Sequence, residues 1–154
     1  MLIITATQPA EFAEARRLFE LYQQFLEVDL CFQGFEAELN SLPVMYGPPR
    51  GALLLASVGG DFVGCVGLRD LGEGIAEMKR MYVLPSFQGK GIGKALTDRF
   101  IETATDLGYT AVRLDTLRKL DRAIALYKSV GFKEIGTYRF NPDPTALFME
   151  KKLK

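Results

Sequence analysis

Met81-Tyr82-Val83-Leu84-Pro85-Ser86-Phe87-Gln88-Gly89-Lys90-Gly91-Ile92-Gly93-Lys94-Ala95-Leu96 is the stretch on which the reading of this chain turns. An apolar strand ends at a proline, passes a glycine-dense turn and becomes a helix. Gly89, Gly91 and Gly93 let the backbone take positive φ and let a ligand approach with no Cβ in the way. The amides left unpaired at the helix start point outward. A charge placed there gains roughly 0.3–1 kcal/mol from the helix dipole alone, with the amide hydrogen bonds in addition. Phosphate is the natural occupant.

Spacing decides which phosphate ligand. Gln88-x-x-Gly91-x-Gly93 lacks the Lys-Ser/Thr ending of a nucleotide P-loop, and Gly89, Gly91 and Gly93 read G-x-G-x-G where the dinucleotide fingerprint needs G-x-G-x-x-G. Working outward, a strand carrying Glu77 precedes the loop and a helix from about 91 to 107 follows it. Then come a strand Ala111-Val112-Arg113-Leu114-Asp115 and the run Ala123-Ile124-Ala125-Leu126-Tyr127-Lys128-Ser129-Val130-Gly131-Phe132. The loop resembles the acyl-CoA signature Q/R-x-x-G-x-G/A of the GNAT superfamily of N-acyltransferases. The last run is similar to that family's second signature, a helix whose tyrosine is followed by Gly-Phe. The resemblance covers roughly residues 52–135.

The resemblance implies an α/β fold: a mixed, mostly antiparallel sheet of six to seven strands, its parallel central pair splayed around the cofactor, flanked by about four helices. It implies acetyl-CoA (coenzyme A) as cofactor, with the pyrophosphate on the amides around Gln88, Gly89, Lys90, Gly91, Gly93 and Lys94. The pantetheine arm would pair with Met81, Tyr82 and Val83 like an added strand. It also implies Glu77 as general base and Tyr127 as proton donor to the departing thiolate. Without the resemblance, Glu77 and Lys79 read as a same-face surface pair, and Tyr127 as a core residue of its helix. One position departs from the pattern: Leu120 stands where the family commonly has an asparagine.

Composition bounds the rest. The chain of 154 residues reads as a single domain, 1–154, long enough to bury about 68–70% of its unfolded surface. Nineteen basic and nineteen acidic residues cancel, which removes the electrostatic basis for nucleic-acid binding. No apolar run approaches the ~20 residues of a membrane span, and the N-terminus lacks the charge pattern of a signal peptide. Cys31 and Cys65 lie far apart and read as buried thiols in a reducing, cytoplasmic setting. Histidine is absent, which excludes Ser-His and Cys-His pairs, removes the commonest zinc ligand, and forces any base to be a carboxylate, tyrosine, thiolate or water.

In chain order, a strand at Ile3–Ile4 leads to a helix from Pro9 to about Val28, and a short helix starts at Phe35. Pro43 to Gly51 reads as a loop that cannot continue a helix. Strands Ala52–Val58, Phe62–Leu68 and Ile75–Leu84 form a meander. Thr110 to Asp115 runs parallel to the preceding strand through the crossover helix. A second helix follows, and Phe132–Tyr138 and Ala146–Leu153 close the sheet around Asn141-Pro142-Asp143-Pro144.

For the acceptor, Tyr22, Phe32, Gln33, Tyr46, Arg139 and Asn141 flank the expected end of the acyl channel. The aromatic cluster around Phe32 reads equally as packing. Arg139 suits an acceptor carboxylate, and the absence of an acidic run argues against a polycationic one. The expected activity is therefore acetyl transfer to a small-molecule amine, with no nucleic-acid or membrane partner and a homodimer possible through exposed strand edges. Two alternatives stay open: a non-catalytic acyl-CoA sensor, and a nucleotide-cofactor oxidoreductase with Asp115 on the ribose.

Overall fold

The elements are β1 (Leu2–Thr5), α1 (Pro9–Leu26), α2 (Phe35–Leu39), α3 (Leu42–Met45), β2 (Ala52–Val58), β3 (Asp61–Gly72), β4 (Ile75–Val83), α4 (Ile92–Asp106), β5 (Ala111–Leu117), α5 (Asp121–Ser129), β6 (Lys133–Ile135) and β7 (Ala146–Lys152). A 3-10 turn at Pro85–Phe87 joins β4 to the glycine loop. This computed structural model describes residues 1–27 and 34–153, so the expectations for Cys31, Phe32 and Gln33 lie outside the described residues.

The seven strands form one sheet in the order β1-β2-β3-β4-β5-β7-β6. The crossover through α4 makes β4 and β5 parallel, and every other neighbouring pair is antiparallel. β2 is apolar from Ala52 to Ala56, where both of its faces are covered. Leu54 and Ala56 enter the core beneath α4 and α5 with Leu96, Phe100 and Tyr127. Leu53 and Leu55 enter the core beneath α1 to α3 with Leu18, Phe19 and Tyr46. Among the described residues no helix is long and apolar enough to cross a membrane.

Local chemistry explains the helix boundaries. Pro9 opens α1, and Glu11 Oε1 accepts hydrogen bonds from the amides of Thr7 and Gln8 at 2.8 and 2.9 Å, satisfying donors that no helical turn reaches. α4 ends at Asp106, and its cap Leu107 is followed by Gly108 at φ 89°, the left-handed residue that commonly closes a helix. Pro43 does not mark a loop. It sits at the start of α3, where its missing N–H would have had no partner.

Two irregularities shape the site. Gly67 pairs with Lys79 and Cys65 with Tyr82, so β4 carries one residue more than β3 between those pairs; Arg80, at φ 59°, takes up the surplus in a bulge. The β4–β5 pairing runs only from Ile75–Ala111 to Glu77–Arg113, after which the strands part. β6 is also shorter than the strand expected over 132–138. The chain leaves the sheet after Ile135, and Tyr138 and Arg139 turn toward Glu77 on β4.

Candidate active site

Where β4 and β5 separate, a cavity of about 500 Å³ opens between the glycine loop and the start of α5. That is within the range of small-molecule and cofactor sites, about 300–1,000 Å³. Met81, Tyr82 and Val83 line it on the β4 side, Gln88, Gly89, Gly91, Gly93 and Lys94 at the loop, and Tyr22, Phe25 and Tyr127 toward its inner end. With no β5 partner beyond Glu77, the outer edge of Met81–Val83 is open to an extended ligand. The Val83 carbonyl is the exception, since it accepts a hydrogen bond from Gln88 Nε2 at 2.9 Å. Gln88 thus braces the strand end.

The loop fits a phosphate. Gly89 and Gly91 lie at φ 77° and 84°, and a Cβ at Gly91 would meet nothing within 4 Å. α4 begins at Gly91 without a side-chain cap, leaving its first amides for an anion. Gly93 works differently from the expectation of positive φ, because it is already helical. A Cβ there would lie 3.6 Å from Leu126 Cδ2, an ordinary packing contact. The two lysines of the motif have other neighbours: Lys94, on the cavity wall, bonds Asp98 Oδ2 through Nζ at 2.7 Å, and Lys90, which does not line the cavity, holds Nζ 5.3 Å from the centre of the Phe87 ring.

Behind this cavity lies a second of about 30 Å³, walled by Tyr22, Met78, Arg80, Met81, Leu114, Asp115, Thr116, Leu120, Ala123 and Tyr127. Tyr22, Met81, Leu120, Ala123 and Tyr127 belong to both. Burial raises the Tyr127 phenol above its ordinary value, so it stays protonated across the physiological range. Burial also pushes Tyr22 up, to about 12; Arg80 opposes the shift and Asp115 adds to it. Among the described residues Asp115 accepts one hydrogen bond, from Asn141 Nδ2 at 3.1 Å.

Glu77 lies off both cavity walls, 2% exposed. Tyr138 Oη and Arg139 Nη1 each donate to its Oε2 at 2.8 Å, and Lys79 Nζ stands 3.9 Å from its Oε1. Burial pulls the Lys79 ammonium down to about 8, Arg80 reinforces this, and Glu77 opposes it. The surface pair suggested by the strand pattern is therefore a buried one.

A second buried charge pair holds the bulge. Arg80 Nε and Nη2 donate to the two oxygens of Glu38 at 3.0 and 2.8 Å, and Tyr46 Oη donates to Glu38 Oε2 at 2.7 Å. Burial would raise the Glu38 carboxyl, but the guanidinium and the phenol together keep it below its ordinary value. Tyr46 is thus a buried anchor for α2 and does not line either cavity, contrary to its expected place beside the acceptor.

Sequence reasoning missed Tyr138 as a partner of Glu77 and reached Asp115 only as a ribose carboxylate in the oxidoreductase alternative. Nothing in local patterning links positions 61 or 38 residues apart. The weak available signal was the period of β5, which puts Asp115 two residues from Arg113 on the same face.

The comparisons with known proteins agree with this geometry. The family described as acetyltransferase (GNAT) matches residues 15–132. A Schizosaccharomyces pombe protein named as an uncharacterized N-acetyltransferase is 37% identical over 147 residues, covering 94% of this chain and 90% of its own. An acetyltransferase of the GNAT family from Staphylococcus aureus superposes with a TM-score of 0.82 at 24% identity, covering 99% of each chain. An aminoglycoside 6'-N-acetyltransferase in complex with coenzyme A superposes with a TM-score of 0.72 at 16% identity, covering 99% of this chain and 97% of its own. The family match over residues 15–132 and the 37% identical relative show that this chain is an acyltransferase belonging to the GNAT acetyltransferase family.

Proposed function

We propose that this enzyme transfers an acetyl group from acetyl-CoA to the primary amine of a small molecule by direct attack. The observation that carries the reading is the sharing of Tyr22, Met81 and Tyr127 by the two cavities. The long cavity suits a phosphate-bearing thioester, and the small one, about the volume of a single water molecule, leads from Tyr127 toward Asp115. Coenzyme A, when bound, supplies the activated acyl group. The loop amides and the open edge of Met81–Val83 would hold it, as supported by the neighbour of the same fold in complex with coenzyme A. Tyr127, kept protonated by burial, donates the proton that the leaving thiolate needs.

The acceptor nitrogen must lose a proton. An amine of pKa near 10.4 at pH 7 costs about 4.6 kcal/mol to deprotonate, so a base is required. Glu77 is the base expected from the resemblance, but its carboxylate is held by Arg139, Tyr138 and Lys79 and lies off the cavity wall. Asp115 lines the inner cavity with Tyr127 and has a single neutral donor. This favours Asp115 as the group that takes the proton, with Glu77 orienting Lys79 and Arg139.

Arg139 lines neither cavity, but it meets Glu77 through Nη1 and remains 28% exposed, leaving its other N–H groups for the carboxylate of an acceptor that reaches beyond the cavity. An amino acid or a related carboxylate-bearing amine is the substrate class this supports. The deciding experiment combines calorimetry, with acetyl-CoA and NAD compared, and thiol release across amino acids, polyamines, aminoglycosides and lysine-rich peptides. Acetyl-CoA binding and turnover of carboxylate-bearing amines are expected. NAD binding without a coenzyme A signal sinks the cofactor assignment, and turnover confined to peptides sinks the acceptor class.

A further inference from the structure

The wall facing the glycine loop carries a cation that the sequence motif does not include. Arg122 is the second residue of α5 and lines the 500 Å³ cavity opposite Gln88 and Gly89. A Cβ built on Gly89 would sit 3.8 Å from Arg122 Nη1, so the guanidinium stands against the loop itself. Among the described residues it has no hydrogen-bond or ion-pair partner, whereas Lys94 is taken by Asp98. The start of α5 has no side-chain cap, which leaves its first amides without a side-chain partner. Asp121 precedes Arg122 on this wall and offsets part of its charge, while Lys119, also on the wall, donates to the Leu26 carbonyl at 2.5 Å. Arg122 is therefore the cavity-wall cation whose donors are unused.

We propose that Arg122 closes the phosphate cradle from the α5 side, pairing with the pyrophosphate that the loop amides hold. The inference rests on the coenzyme A reading above. A planar guanidinium opposite a fan of backbone N–H groups matches two phosphoryl oxygens at once, which a lysine cannot do. The resulting selectivity is for acyl carriers bearing a pyrophosphate over bare pantetheine thioesters.

Calorimetry on the purified protein with coenzyme A, 3′-dephospho-coenzyme A and pantetheine tests this without turnover. Wild-type protein is expected to bind the first two much more tightly than the third. Arg122→Ala is expected to weaken coenzyme A and dephospho-coenzyme A alike by about 10- to 100-fold, leave pantetheine within twofold, and keep an unchanged thermal midpoint because Arg122 is exposed. Arg122→Lys should recover only part of the loss. Coenzyme A affinity within twofold of wild type in Arg122→Ala overturns the proposal, as does an equal loss for pantetheine. A loss for coenzyme A alone moves the contact to the 3′-phosphate and overturns the pyrophosphate assignment. Failure of wild-type protein to bind any of the three defeats the cofactor reading instead, so the two failures are distinct.

Discussion

Replacing Arg80 with alanine isolates the contribution of the buried clasp between the β4 bulge and α2. Arg80 and Glu38 are 6% and 1% exposed and joined by two hydrogen bonds. Removing one partner of such a pair costs about 3–5 kcal/mol, because the remaining charge is left buried. At about 2–4 °C per kcal/mol for a domain of this size, the thermal midpoint should fall by roughly 6–20 °C at pH 8. The loss should depend on pH with a definite sign. In the wild type the Glu38 carboxyl is held below its ordinary value, so its contribution is present above the unfolded carboxylate pKa and is lost as pH falls through the folded value. In Arg80→Ala the guanidinium is gone and burial raises the carboxyl, so the variant loses stability as pH rises through the new value. The gap between the proteins should widen from pH 5 to pH 8. Thermal unfolding followed by circular dichroism at both pH values measures it. A gap that is constant with pH, or below 3 °C at pH 8, would refute the reasoning.

Gly67→Ala places a methyl group 2.8 Å from Tyr46 Cδ1, and over-packing there should cost about 1–3 kcal/mol in chemical denaturation. A loss under 0.5 kcal/mol would mean the ring is not seated on Gly67. Tyr127→Phe should lower kcat by about 10²-fold at unchanged acetyl-CoA affinity, read by steady-state kinetics and calorimetry; an unaltered kcat removes the phenol from the mechanism. Asp115→Asn should lower kcat/KM about 10²–10⁴-fold near pH 7 and recover toward pH 9.5 as fewer acceptor amines need a base. Glu77→Gln should instead raise the acceptor KM and leave the shape of the pH–rate profile intact. The opposite pair of profiles returns the base to Glu77.

The crossover and the glycine loop were legible because both have local signals: an apolar strand, a proline, three glycines and a helical stripe from Ile92 to Leu107. The parallel pairing of β4 and β5 followed from the helix between them. What stayed hidden depends on distant contacts. Arg80 occupies a left-handed position without being glycine, tolerated because Glu38, 42 residues earlier, holds its guanidinium. β6 ends early because Tyr138 and Arg139 have polar partners on β4, which no strand propensity anticipates. Asp115 becomes a site residue only because the two strands part after Glu77 and Arg113.

That parting divides the sheet into two leaves that share the core beneath α4 and α5. β1 to β4 form one leaf and β5 to β7 the other, and the ladder stitches them at three residue pairs. Further along, the leaves are tied by side chains: Arg139 and Tyr138 to Glu77, and Lys119 to the end of α1. Glu77 is 2% exposed, so its ties to Arg139 and Tyr138 are little screened by salt. A ligand strand laid along Met81–Val83 would act as the missing rung, slowing amide exchange on both leaves together.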